Sequence, residues 1–390
     1  MRGLRKYLTP FAPDQSGAVS VLFELGGIVV ICDAGGCTGN VCGFDEPRWF
    51  EQKSAIFSAG LRDMDAILGR DDRLVAKLAD AARKVDATFA AVIGTPVPAV
   101  IATDYLALKR MSEKKINLPI LTVDTNGMEL YDVGEEKAWL TLFKTFAGKD
   151  VASQKEASEE DDSSKKMKIG VLGLTPHDVS DLNVEEKFRK SENENTHYIC
   201  YGMRAGIDKV KTAGSADKNL VVAPAALETA KYLEKTFGTP YEVTYPIVEE
   251  LVPDMDYLGK KILIVHQQVI GNAMRAEIRR RCQKVDGDPS VDNNAVITVA
   301  SWFMMKQELS EKGDISLREE DDYMELIKEE DYDIVFADPM MKRMTEDAYK
   351  MAGTGCVADA YETKRKRIFI DATHFAVSGK LREEMKKREA

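Results

Sequence analysis

Nine short apolar runs, most of them rich in β-branched residues, recur along the chain with helix-like patterns between them. They are Gly27 to Ile31, Phe89 to Ile93, Ile120 to Val123, Ile169 to Leu174, Leu220 to Ala223, Ile262 to Val265, Ala295 to Val299, Ile334 to Ala337 and Ile368 to Asp371. Continuous runs of this length, without polar alternation, suit strands buried on both faces. That condition is met in parallel sheets whose crossovers are helical. The pattern therefore predicts an α/β protein built from repeated strand–helix units.

A chain of 390 residues, 44% of them hydrophobic, is long enough for two or three such units, each with its own core. Two breaks set the expected boundaries. Residues 148–167 are almost free of apolar side chains and carry the acidic run Glu159–Asp162, which reads as a linker or insertion that could also steer a basic partner. The pattern pauses again at Val252-Pro253. The expected division is an N-terminal α/β domain at 1–147, an acidic linker at 148–167, a second α/β domain at 168–255 and a third at 256–390.

No apolar run reaches membrane-spanning length and no secretory leader is readable, so a cytoplasmic protein without a membrane partner is expected. The net charge of -11 argues against nucleic acid, which is bound through concentrated Lys and Arg. No phosphate loop of the Gly-x-x-x-x-Gly-Lys-(Ser/Thr) type occurs, so the sequence has no ATP site.

Of six cysteines, Cys32, Cys37 and Cys42 lie within eleven residues, among Gly35, Gly36, Gly39 and Gly43. Converging thiolates need a counter-cation, and glycines let backbone amides approach cluster sulfurs, so the segment reads as an iron–sulfur site. The alternative is a glycine-rich turn with incidental buried thiols. Cys200 and Cys282 read as structural, and Cys356 as a small turn residue or a further ligand.

Taken together, these features resemble the nitrogenase component 1 type oxidoreductases: catalytic nitrogenase subunits, cofactor-assembly scaffolds and tetrapyrrole reductases. Gly35-Gly36-Cys37 resembles the family's Gly-x-x-Gly-Cys ligand after the first strand, and Asp65-Ala66-Ile67-Leu68-Gly69 its Asp-x-x-(Phe/Leu)-Gly signature. Residues 169–176, 219–224 and 237–241 resemble its second domain.

The resemblance implies three Rossmann-like domains and a cluster held between paired subunits, in a homodimer or a heterodimer with a related chain. It also implies a separate iron–sulfur ATPase reductase as electron donor. Of the family's three ligand positions one is kept; the others fall near Ala12 and at Pro96, and the active-site cofactor cysteine falls near Ala223. Cys32 and Cys42 are expected to compensate, with Asp14 as an oxygen ligand or a turn residue. The cluster is then either [4Fe-4S] or a fused eight-iron cluster shared by two copies.

Three lesser candidates follow. His266 and His374 each end a strand, where a side chain can face a cleft and hand over a proton, or be a hydrogen-bonded structural histidine. Met340-Met341 reads as core or pocket lining. Arg48-Trp49-Phe50 reads as shielding the cluster, as a docking contact, or as simple burial. The expected function is the cluster-bearing half of a two-component oxidoreductase with an unknown substrate. Its rivals are a non-catalytic scaffold for metal-cofactor assembly and a simple iron–sulfur electron carrier or redox sensor.

Overall fold

All the expected strands form, and they form in parallel. The computed structural model describes residues 5–52, 54–148, 166–286, 295–351 and 367–378; Cys356 and the acidic stretch 149–165 lie outside these residues. The first sheet has the order β2-β1-β3-β4, with β1 Ile28–Ile31, β2 Ala55–Ser58, β3 Ala90–Ile93 and β4 Ile120–Val123. The second has the order β6-β5-β7-β8, with β5 Met167–Leu174, β6 Thr196–Gly202, β7 Lys218–Val221 and β8 Tyr241–Val243. The third, β11-β10-β9-β12-β13, comprises β9 Lys261–Val265, β10 Val296–Ser301, β11 Ile315–Ser316, β12 Ile334–Ala337 and β13 Ile368–Asp371. Every pairing within the sheets is parallel, and helices flank them.

The four strands that the apolar runs did not announce, β2, β6, β8 and β11, are all edge strands. An edge strand is covered on fewer sides, so its sequence need not be continuously apolar. Ala55–Ser58 is half-buried to exposed along its length, whereas the central β1 and β3 are buried throughout.

The cores are not partitioned one to a sheet. One apolar cluster runs from Val29, Ile31 and Ile93 of the first sheet, through Trp139 and Phe143, to Leu172 and Val221 of the second. Another joins Val171 and Val222 to Ile262, Ile264 and Phe336 of the third. The three sheets therefore meet around shared side chains, and the carboxyl ends of several strands converge on one region, where α/β sheets place ligands.

The helix Tyr131–Phe146 is the wedge between the first two sheets, and the helix Asp14–Leu22 crosses it at backbone contact. A Cβ on Gly17 would overlap the Tyr131 carbonyl, and one on Gly134 would overlap the Asp14 carbonyl. Two glycines thus let these helices approach closely enough to hold Tyr131 and Glu135 at the junction of the sheets. No helix among the described residues is long and apolar enough to cross a membrane.

Candidate functional site

The three clustered cysteines do not converge within one chain. Strand alternation places Cys32 with Ile28 and Val30 in an apolar cluster formed with Leu74, Leu78 and Leu108, and it is 3% exposed. Cys37 packs instead against the cluster on the opposite face of the sheet, that of Val29 and Ile31. Burial, reinforced by Asp71 and Asp33, pushes the Cys32 thiol up to about 12. Among the described residues no three His, Cys, Asp or Glu side chains are grouped to hold a metal ion.

Cys37 and Cys42 lie on consecutive helical turns, Gly36–Asn40 followed by the wider turn Val41–Asp45, and both are half-buried. Gly35 starts the first turn at φ 122°, a conformation open to glycine. Asp33 secures it by accepting from the Thr38 amide at 2.8 Å, the Thr38 hydroxyl at 3.0 Å and Ser58 Oγ at 2.6 Å. Glycine inside a helix costs about 1 kcal/mol relative to alanine. Yet a Cβ added to Gly36, Gly39 or Gly43 would meet nothing within 4 Å, so the chain's own packing gives no reason for these three. They leave bare backbone facing outward around both thiols.

Arg48 is a buried clamp. It bonds Glu46 through Nε and Nη2 at 2.7 Å each, Glu24 at 2.8 Å and the Ser20 carbonyl at 2.7 Å. Phe50, by contrast, is exposed. Asp14 is fully buried and accepts from the Asn126 and Gly127 amides at 2.8 and 2.7 Å, the turn role rather than the ligand role. Cys200 and Cys282 are buried.

The structure gathers what the sequence scattered. His177, His266 and His374 meet at the junction of the sheets, all buried. The rings of His266 and His374 stack at 4.4 Å with 5° between planes, and Tyr131 lies 4.9 Å from His177. Burial holds His177 and His266 neutral, with pKa values lowered to about 4, and His374, also next to the other two, lies well below its usual value.

Tyr131 Oη stands between Asp178 Oδ1 at 3.1 Å and His374 Nε2 at 3.2 Å. Behind it, Glu135 accepts from Thr175 Oγ1 at 2.7 Å and neighbours Asp178, and Glu135 Oε2 and Asp178 Oδ2 are buried without a hydrogen-bond partner among the described residues. Two neighbouring carboxyl groups this deeply buried favour the protonated form. Burial raises both above the usual carboxylate range, Asp178 to about 7 with Asp132 adding to it, and the neighbouring Asp178 raises Glu135 further. The result is a water-excluded chain of proton carriers from Glu135 through Asp178 and Tyr131 to His374.

Of these residues, Tyr131 and His177 border a cavity of about 680 Å³. Its walls come from residues 9–13, the strand ends after β4, β5, β12 and β13, and Asn40, Phe44 and Asp45 of the cysteine-bearing turns. Met340 lines it while Met341 is core, so each of the two methionine readings holds for one residue.

His266 and His374 were legible as strand-end candidates, but Tyr131, Glu135, His177 and Asp178 were not singled out. One signal was available. Tyr131, Glu135, Ala138, Trp139 and Leu142 form the buried face of one helix, and a carboxylate on such a stripe calls for a partner.

Comparison with solved structures gives a nitrogenase Cp1 at pH 5 with a TM-score of 0.62 and 15% identity, over 99% of this chain and 89% of that one. A nitrogenase Cp1 at pH 6.5 gives 0.62 and 14%, over 99% and 93%. No curated protein matches the sequence. The model of the nitrogenase component 1 type oxidoreductases matches residues 14–248, and the chain belongs to that family.

Proposed function

We propose that this protein is the cluster-bearing component of a two-component, nitrogenase-like oxidoreductase, reducing a molecule bound in the cavity where the three sheets meet. The observation that carries the reading is the stretch 36–45. It presents two thiols among glycines with no packing role on one side, and supplies a wall of the cavity on the other. The family is one of oxidoreductases. Electron donor, cluster and substrate are our inference, as are the three-domain division and a cytoplasmic location.

Cys37 and Cys42 fit a cluster shared across two chains, each copy contributing two thiolates. Exposed Phe44, Phe50, Val100 and Met128, each at least 76% exposed, offer an apolar surface for the second copy or a related subunit. Cys32 does not fit this arrangement, and we assign it to the core in place of the three-cysteine ligand set. When bound, such a cluster supplies electrons one at a time, delivered by a separate ATP-dependent iron–sulfur reductase.

This chain's own groups supply the protons. The Glu135–Asp178 pair is the proton store, and Tyr131, which borders the cavity and donates to Asp178 Oδ1, is the residue that links the store to the cavity wall. The neutral imidazole of His374 orients the Tyr131 hydroxyl. The scaffold reading is less well supported, because among the described residues no lysine or arginine lines the cavity to hold an anionic metal cofactor.

The test is anaerobic purification, iron and acid-labile sulfide per chain, and paramagnetic resonance before and after an iron–sulfur ATPase reductase with ATP. Cluster signals reduced only when ATP is present are expected. A protein that takes up no iron after reconstitution overturns the reading.

A further inference from the structure

One wall of the cavity is built differently from the rest. Residues 5–13 border it at Thr9, Pro10, Phe11, Ala12 and Pro13, and they form neither helix nor strand, apart from a single bridge between Pro13 and Leu130. The segment is fixed where it joins the body: the Ala12 carbonyl accepts from the Tyr131 amide and the Pro13 carbonyl from the Ser16 amide, each at 2.9 Å.

At the other end one carboxylate does most of the holding. Glu320, which opens the helix Glu320–Glu330, accepts from the amides of Lys6 at 2.7 Å, Tyr7 at 2.9 Å and Leu8 at 2.7 Å. Tyr7 Oη adds a bond to Asp347 at 3.0 Å, and Leu8 is buried. Between the two ends, residues 9–11 make no hydrogen bond to the body among the described residues. Phe11 lies instead against Phe303, Trp302 and Phe375 at 5.0, 5.8 and 6.0 Å.

The segment is also tied to itself. Arg5 donates to the Thr9 carbonyl at 2.9 Å, and its guanidinium sits 4.5 Å from the Phe11 ring centroid, so the two ends are coupled to one another. Three bonds that converge on one charged group fail together when that group is lost. Local openings of a fold begin in segments with few main-chain bonds to the body.

We propose that residues 5–11 are a strap that swings as one unit about Ala12 and Pro13, with Glu320 as its latch. Its opening lifts Phe11 off Trp302 and Phe303 and admits solutes to that side of the cavity. As the way in for a molecule to be reduced, the strap rests on the proposed function; as a movement, it does not.

The test uses the full-length protein carrying Trp49→Phe, which removes a half-buried indole and leaves Trp139, fully buried, and Trp302, 6% exposed beside Phe11. Acrylamide, a small neutral quencher, reports whether Phe11 has left Trp302. Hydrogen exchange read by mass spectrometry reports the amides of residues 6–8. Glu320→Gln should raise the quenching constant at least about threefold and exchange at 6–8 at least about tenfold. Phe11→Ala leaves the latch untouched, yet should speed exchange at the same amides at least about threefold, because coupling between two ends of one unit is reciprocal. Glu319→Ala weakens the start of the same helix without removing the latch, and should move neither readout. Glu320→Asp, which withdraws the carboxylate by one methylene, is the second latch variant if the first misfolds. Unchanged quenching when the amides at 6–8 are freed, exchange there unmoved by Phe11→Ala, or Glu319→Ala acting like Glu320→Gln overturns the proposal. Neither readout involves iron or a reductase. Failure here with ATP-dependent reduction intact sinks the strap alone, and an opening strap in a protein that takes up no iron sinks the reductase reading alone.

Discussion

The cysteine-bearing turns and the acid–histidine junction are neighbours on one cavity, yet they are built on opposite terms. The junction is closed: its carboxyl pair, tyrosine and histidines are buried, and the Tyr131 hydroxyl joins Asp178 to His374. The turns are open: their thiols are half-buried, their glycines touch nothing, and Phe44 beside them is 76% exposed. A single chain completes the first region, and the second needs something from outside. On the proposed reading, electrons enter at a surface and protons come from an interior, where burial holds carboxyl groups above their usual range.

The comparison breaks most sharply at the cysteines. Replacing Cys37 and Cys42 together by Ser should remove nearly all iron and sulfide. Cys32→Ser should leave both unchanged while costing about 1–3 kcal/mol for a buried hydroxyl. Metal analysis beside urea unfolding of the same samples separates the two. Loss of iron from Cys32→Ser alone would return Cys32 to the ligand set.

Next in size is the helix crossing that positions Tyr131 and Glu135. Gly134→Ala should destabilise the fold by about 3 kcal/mol, because its Cβ would overlap the Asp14 backbone. An unfolding midpoint within experimental scatter of the parent would show that the crossing has slack.

The junction has a pH signature. From about pH 4 to pH 6.5 the folded chain keeps protons on Glu135 and Asp178 that the unfolded chain releases, so the pair makes stability fall as pH rises. His177, His266 and His374 stay neutral when folded but protonate when unfolded, so they make stability rise over the same window. The two contributions oppose. Glu135→Gln removes one retained proton, turning the slope more positive by up to about 1.4 kcal/mol per pH unit. Chemical denaturation at several pH values measures it, and an unchanged slope would mean that Glu135 is ionised in the fold.

The smallest effect on stability belongs to the open surface. Phe44→Ser should change unfolding free energy by no more than about 0.5 kcal/mol, yet weaken self-association in sedimentation velocity. A monomer for both proteins would remove the second copy from the proposal.

Much of this architecture is legible in one dimension. The nine apolar runs announce nine of the strands, including every central one, because burial on both faces of a central strand leaves no room for polar alternation. The edges β2, β6, β8 and β11 escape, since partial exposure frees their composition. The cysteine segment is legible as unusual, but its equal spacing in sequence misleads about Cys32. That residue continues the alternation of Ile28 and Val30 and so points into the opposite core.

His266 and His374 announce themselves as strand ends, while nothing in their 108-residue separation says that their rings stack. Tyr131, Glu135, His177 and Asp178 come from two elements joined through a stretch outside the described residues. Sequence by itself determined the class, the parallel strands and the thiol-bearing turns, because these follow from local periodicity and chain chemistry. Tertiary structure alone decided that Cys32 and Cys37 pack on opposite faces of the sheet, how the glycines at 17 and 134 bring two helices together, and which carboxyl groups are buried side by side. Those depend on contacts between residues far apart in the chain, and desolvation exists only once the sheets have closed around them.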